Sequence, residues 1–101
     1  MIYFGLSRKD GSRIAAAAWD RFVRSEVTRA FPTGFTVLSG RGYWRNAKGK
    51  AVWEPSRVIL RVHDGKADDH AKIAALAALY KRRFGQEVVL RVDHQTACIQ
   101  F

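Results

Sequence analysis

Ten residues carry the side chains from which a site can be built. Six of them crowd one short span: Tyr43, Trp44, Trp53, Glu54, Ser56 and Arg57. The others are Arg61, Gln86, Glu87 and Arg91. Tryptophan, tyrosine and arginine are the side chains that most often anchor a bound partner. Glu54 and Glu87 are the carboxylates to which general acid or base work would fall. Asn46-Ala47-Lys48-Gly49 reads as a hairpin turn, with Gly49 suited to a positive φ. With Lys48-Gly49 at its centre, Trp44 faces Trp53, and residues opposed across a hairpin project to one face. Two tryptophans beside Glu54 and Arg57 then line a pocket or an interface. The alternative is a cross-strand aromatic pair that steadies the hairpin by up to about 1 kcal/mol. An acid–base enzyme follows only if Glu54, Glu87 and Tyr43 share a cleft, and Glu87 has a plainer alternative in pairing with Arg83 or Arg29.

Other chemistries find little support. His63, His70 and His94 fall in turns or near a helix start, with no pair four residues apart, so no metal is expected. There is no glycine-rich phosphate loop, and no cofactor is expected. Cys98 is the single cysteine, which excludes an intramolecular disulfide and reads as a packing or surface residue.

The charge is a stronger signal. Eighteen Lys and Arg against nine Asp and Glu give a net charge of +9. Such a field attracts nucleic acid, an anionic ligand or an anionic surface. The basic residues are scattered, with no single-sign tail. In the third strand, Val58, Leu60 and Val62 alternate with Arg57, Ile59, Arg61 and His63. The first set is expected to face the helices and the second an uncovered side. Arg91 joins the second set if Val88, Leu90 and Val92 point inward. Arg41, Arg57, Arg61 and Arg91 would then form a basic sheet face. Such a face is open to nucleic acid, to a second copy in a homodimer, or to solvent. The RNA recognition motif asks for aromatics with glycine on its third strand, and Ser56 to Val62 offers none.

The elements that must position these residues are legible in outline. Ile2 to Leu6 is a strand, and Asp10-Gly11 a turn. Ser12 is placed to cap a helix over about 13–31, whose stripe is Ile14, Trp19, Phe22, Val23, Val27 and Phe31. Pro32 and Gly34 end it. A second strand opens at Phe35, with Gly40 and Gly42 suggesting a bulge or a close backbone approach. The return strand runs from near Val52 to about His63. Asp68 or Asp69 caps a second helix striped by Ile73, Leu76, Ala77, Tyr80 and Phe84, with Gly85 as its stop. Val88 to Val92 is a strand, and Ala97 to Phe101 a short final one. The order predicts an α+β, ferredoxin-like βαββαβ domain over residues 1–101, with an extra C-terminal strand. Its antiparallel sheet would carry both helices on one face. No run approaches the roughly 18 apolar residues of a transmembrane segment, and Met1 to Gly5 does not read as a signal peptide.

Several of these residues also carry a family resemblance. Tyr3-Phe4-Gly5-Leu6-Ser7, Trp19 and Phe22, Thr28 to Pro32, Gly34, Thr36-Val37, Gly42 and Trp44 belong to the pattern. So do Glu54, Ser56, Tyr80-Lys81 and Arg83-Phe84-Gly85-Gln86-Glu87. The chain resembles, nearly end to end, the bacterial domain of unknown function 3574. It departs where the family has Thr-Pro and this chain has Thr28-Arg29. The resemblance implies a small exported or lipoprotein-type protein, hence a periplasmic or secreted location with a signal removed before Met1. Without export the location is cytoplasmic. The resemblance brings no assigned activity. The leading expectation is a non-catalytic binding or interaction module of the bacterial envelope, a homodimer through the open sheet face. The alternatives are a small-molecule enzyme with a pocket near the hairpin, and nucleic-acid or anionic-surface binding through the basic face.

Overall fold

A computed structural model describes residues 1–101. Strand β1 is Ile2–Gly5, β2 Thr36–Arg45, β3 Ala51–Leu60 and β4 Leu90–Arg91. The first helical rod is built in three pieces: α1 Ala16–Phe22, a π-helical segment Val23–Val27, and α2 Thr28–Ala30. The second is α3, Ala67–Phe84. The strands lie in the order β2-β3-β1-β4, antiparallel throughout. This is the ferredoxin-like α+β arrangement that the element order predicts.

The rod starts later than its periodicity suggests. Asp10 accepts bonds from the Ser12 amide and hydroxyl, so Ser12 closes a turn instead of capping a helix. The chain then folds back on the end of β1, where the Ile14 amide donates to the Leu6 carbonyl at 2.8 Å. Ile14 is therefore a core residue outside the helix. Within the rod, Phe22 and Val27 are both buried although five residues apart. The π-helical segment between them supplies that five-residue phase. At the far end of α3, Gly85 takes φ 62°, the left-handed stop that glycine favours. Lys66 occupies the N-cap of α3, and Asp68 and Asp69 sit in its first turn without a capping bond.

The core explains why both rods share one face. Ile2, Phe4 and Leu6 at the β1 end of the sheet and Ile59 from β3 are buried with Trp19, Phe22, Ile73, Leu76, Tyr80 and Phe84. The rings of Phe4 and Tyr80 lie 4.7 Å apart and those of Phe22 and Tyr80 5.1 Å, both edge-to-face. The expected C-terminal strand is absent: β4 ends at Arg91, and residues 92–101 pair with no strand. The last sheet-like bonds join Val92 to Met1. Beyond them Ile99 and Phe101 are exposed, with no apolar layer against which an alternating segment could hold.

Candidate binding pocket on the open sheet face

Strand register decides which side chains can meet. Leu38, Val58, Tyr3 and Leu90 lie opposite one another across the four strands. Gly40, Ser56 and Gly5 form the next row. Gly42 with Glu54, then Trp44 with Val52, continue the same face along the hairpin. The alternate rows hold Val37 with Ile59 and Ile2, and Ser39 with Arg57 and Phe4. Those rows face the helices, since Ile2, Phe4 and Ile59 are core residues.

This corrects two sequence expectations. Trp44 does not face Trp53; it pairs with Val52, and Trp53 pairs with Tyr43, ring centroids 4.9 Å apart. The loop closes through the Asn46 amide and Lys50 carbonyl, which centres it on Lys48. A register displaced by one residue moves a side chain through the sheet. The hairpin cluster is therefore split. Trp44, Glu54 and Ser56 are on the open face, while Tyr43, Trp53 and Arg57 are on the helix side. Arg41 also points to the helix side, its guanidinium 5.1 Å from the Trp53 ring.

The expected basic face is likewise inverted. Arg57 and Arg91 stand in register with core residues, and Arg61 continues their side. Arg61 donates to the Thr33 hydroxyl and the Gly34 carbonyl, each at 3.1 Å, and stacks over Phe31. Arg91 pairs with Asp93 at 2.9 Å and meets His70 of α3. Val58, Leu60 and Leu90 are the residues that face outward. Arginine heads reach water from the margin of a core while their stems cover apolar surface, so alternation alone did not assign the faces. The thirteen open-face positions of the four strands carry one charged residue, Glu54.

A cavity of about 490 Å³ lies on that face. Gly5, Gly40, Gly42 and Ser56 provide its floor, where missing side chains leave a depression in the sheet. Tyr3, Trp44, Val58, Val88 and Leu90 rise around it, and Glu54 and Gln86 supply its polar end. Val88 and Leu90, expected to point inward, are 61% and 53% exposed. No bulge interrupts β2, and no other backbone crowds either glycine: a Cβ at Gly40 would meet the Ser56 hydroxyl at 3.3 Å and one at Gly42 the Glu54 carbonyl at 3.9 Å.

The polar end is tightly built. Glu54 is 8% exposed and Gln86 6%. Glu54 Oε2 accepts the Ser7 amide at 3.0 Å, and the Gln86 side-chain amide donates to the Ser7 carbonyl. The Tyr80 hydroxyl donates to the Gly5 carbonyl at 2.7 Å. Burial pushes the Tyr80 phenol well above its ordinary value, and the negative charge of Glu54 adds to the shift. Glu54 takes part in none of the chain's ion pairs. Glu87 lies outside the cavity, and Arg83 and Arg29 pair with Glu26 instead, at 3.4 and 4.0 Å.

The polar node draws on Tyr3 to Ser7, Glu54 and Gly85-Gln86, the same segments that carry the family pattern. The chain belongs to the family described as protein of unknown function (DUF3574). The family profile matches residues 1–101. Among solved structures, this DUF3574 protein is similar to a phage SAM lyase in complex with S-methyl-5'-thioadenosine. The TM-score is 0.67 at 22% identity, over 87% of this chain and 72% of that one. At that identity the likeness shows a shared fold. No curated protein matches the sequence. No helix of this DUF3574 protein is long and apolar enough to cross a membrane.

Proposed function

We propose that this DUF3574 protein is a small-molecule-binding domain whose site is the glycine-floored cavity on the open sheet face. The carrying observation is a buried carboxylate, Glu54, at the polar end of a depression walled largely by apolar and aromatic side chains. Pockets of a few hundred Å³ with few, well-placed polar groups are the usual form of small-ligand sites. Binding is favoured over turnover because no second carboxylate joins Glu54 in the cavity. Glu87 lies outside the cavity, and Tyr43 borders it with its ring packed on Trp53. The shared fold with a protein bound to S-methyl-5'-thioadenosine makes that nucleoside thioether the first ligand to try. Titration calorimetry of the parent and of a Gly40→Trp variant tests the site. Binding by the parent and its loss in the variant supports the cavity, while unchanged binding places the ligand elsewhere. The bacterial envelope is the proposed setting.

Self-association through the same face is a second reading, favoured by its composition. Leu38 and Leu60 are exposed there with Val88 and Leu90, and the only strand charge is Glu54. Two chains of net charge +9 repel at most orientations, and the charge-poor face is where a second copy approaches at least cost. Light scattering at moderate and high salt tests this, and a monomer at both would remove it.

A further inference from the structure

Resting on that pocket reading and deepening it, we propose that the ligand carries a positive charge seated against Glu54. Its chemical class is an ammonium, sulfonium or guanidinium group on an apolar body. A carboxylate is held in a buried position only when something compensates its lost hydration. Glu54 is 8% exposed, yet its compensation inside the protein is one backbone amide, from Ser7 to Oε2. Oε1 has no hydrogen-bond partner and is not among the atoms sealed from solvent, so it is reachable from the cavity.

The absence of a cation beside it is unexpected in this chain, because Lys and Arg outnumber acids eighteen to nine. The guanidinium of each nearby strand arginine is engaged away from Glu54, including that of Arg41, which borders the cavity. Arg41 lies over Trp53, Arg61 is bonded to Thr33 and Gly34, and Arg91 is paired with Asp93. Arg57 stands opposite Phe4 on the core side. The fold thus keeps its own cations away from its one open-face acid. Around that acid stand Tyr3 and Trp44, whose ring faces attract cations, and Val58 and Leu90, which suit an apolar body.

The net charge of +9 opposes a cationic ligand at long range. Charges beyond about 8 Å are largely screened at physiological ionic strength, whereas a contact with a partly dehydrated carboxylate is not. Local charge therefore decides occupancy, and the global field slows approach.

Choline and 3,3-dimethylbutan-1-ol share a shape and differ in charge, so they separate charge from fit. Both are titrated into the full chain while the amide signals of Gly5, Ser7, Gly40 and Gly42 and the Trp44 indole N–H are followed by NMR. Choline is expected to move these signals saturably and to bind at least about tenfold more tightly than the alcohol, the scale of one cation contact. Glu54→Gln keeps an acceptor for the Ser7 amide, and its amide spectrum verifies that the fold persists. In that variant the preference for choline is expected to shrink to the few-fold margin that the Tyr3 and Trp44 rings alone supply. Equal binding to the parent would overturn the charge inference and leave the pocket standing. A preference undiminished in Glu54→Gln would overturn it too. If neither probe moves the pocket signals, the charge inference falls, and the pocket reading is decided by the calorimetric titration with the nucleoside thioether.

Discussion

Gly5 and Glu54 compete for one volume: a Cβ at position 5 would stand 2.4 Å from Oε1 of Glu54. The two residues are not cross-strand partners, since Gly5 pairs with Ser56 and Glu54 with Gly42. The Glu54 side chain leans along the open face, over Gly5, to reach the Ser7 amide. Gly5 is thus the condition for burying a carboxylate on the sheet surface, and its carbonyl is fixed from below by Tyr80. One glycine couples the core to the floor of the pocket.

Gly5→Ala is expected to force the carboxylate off Ser7 and to destabilise the fold by about 1–3 kcal/mol, the range for overpacking or for a lost buried bond. Urea denaturation measures it. The cause is isolated by a double-mutant cycle with Glu54→Ala, which removes the clashing group. The double variant should be more stable than the sum of the singles by about 0.5–3 kcal/mol. Strict additivity would mean that the clash is not what Gly5 avoids.

Glu54→Ala and Glu54→Gln should separate by chemistry rather than size alone. The alanine variant leaves the Ser7 amide buried without an acceptor, at a cost of about 1–3 kcal/mol. Glutamine retains a carbonyl for that amide and removes a buried charge, so its stability should stay within about 1 kcal/mol of the parent. Equal losses in both variants, read by denaturant midpoint, would show that the negative charge itself holds the end of β1.

Element order was legible because the signals were local. Gly85 after a striped helix, Pro32 with Gly34, and Asn46 to Gly49 each mark a boundary through backbone chemistry within a few residues. Face assignment was not legible for a physical reason. In β3 both alternating sets contain large apolar residues, with Val58 and Leu60 on one side and Ile59 on the other. Arg57 and Arg61 suggested solvent, but both are on the core side, held at its margin. Only a contact distant in sequence, Ile59 beside Ile2, settles the parity. The same holds for the pocket. Glu54, Ser56, Trp44 and Gln86 were singled out in the sequence, whereas Gly5 and Tyr3 join them only once β1 is placed beside β3. The hairpin pair was displaced by one residue because two adjacent aromatics precede the turn, and propensity does not choose between Tyr43 and Trp44.

Arg61 is expected to act in stability and not as part of an anion-binding face. Arg61→Glu loses the bonds to Thr33 and Gly34 and the stacking on Phe31, and should cost about 1 kcal/mol or more. Arg82→Glu makes the same charge change at an exposed helical position and should stay within about 0.5 kcal/mol. Thermal melts of the two variants at matched ionic strength make the comparison. Equal shifts would indicate a net-charge effect without a specific role for Arg61.

Tyr80 gives the fold an alkaline limit whose sign follows from its environment. Burial, then the charge of Glu54, holds its phenol protonated well above the ordinary tyrosine value near 10. Below pH 10 the hydroxyl is neutral in folded and unfolded chains, so its contribution is fully present. Above pH 10 the unfolded chain releases the proton and the folded chain retains it, so stability falls as pH rises. The slope is about 1.4 kcal/mol per pH unit until the folded phenol itself titrates. Tyr80→Phe should lose about 1 kcal/mol at neutral pH through the missing bond to Gly5, and should lack that slope. The stability difference between parent and variant cancels the other titrations. It should be flat to pH 10, then shrink and reverse sign by about pH 11. A difference that stays constant through pH 11 would mean that the Tyr80 hydroxyl titrates as it does in water. In a Glu54→Gln background the charge contribution is gone, so the fall should begin at the same pH and level off at a lower one.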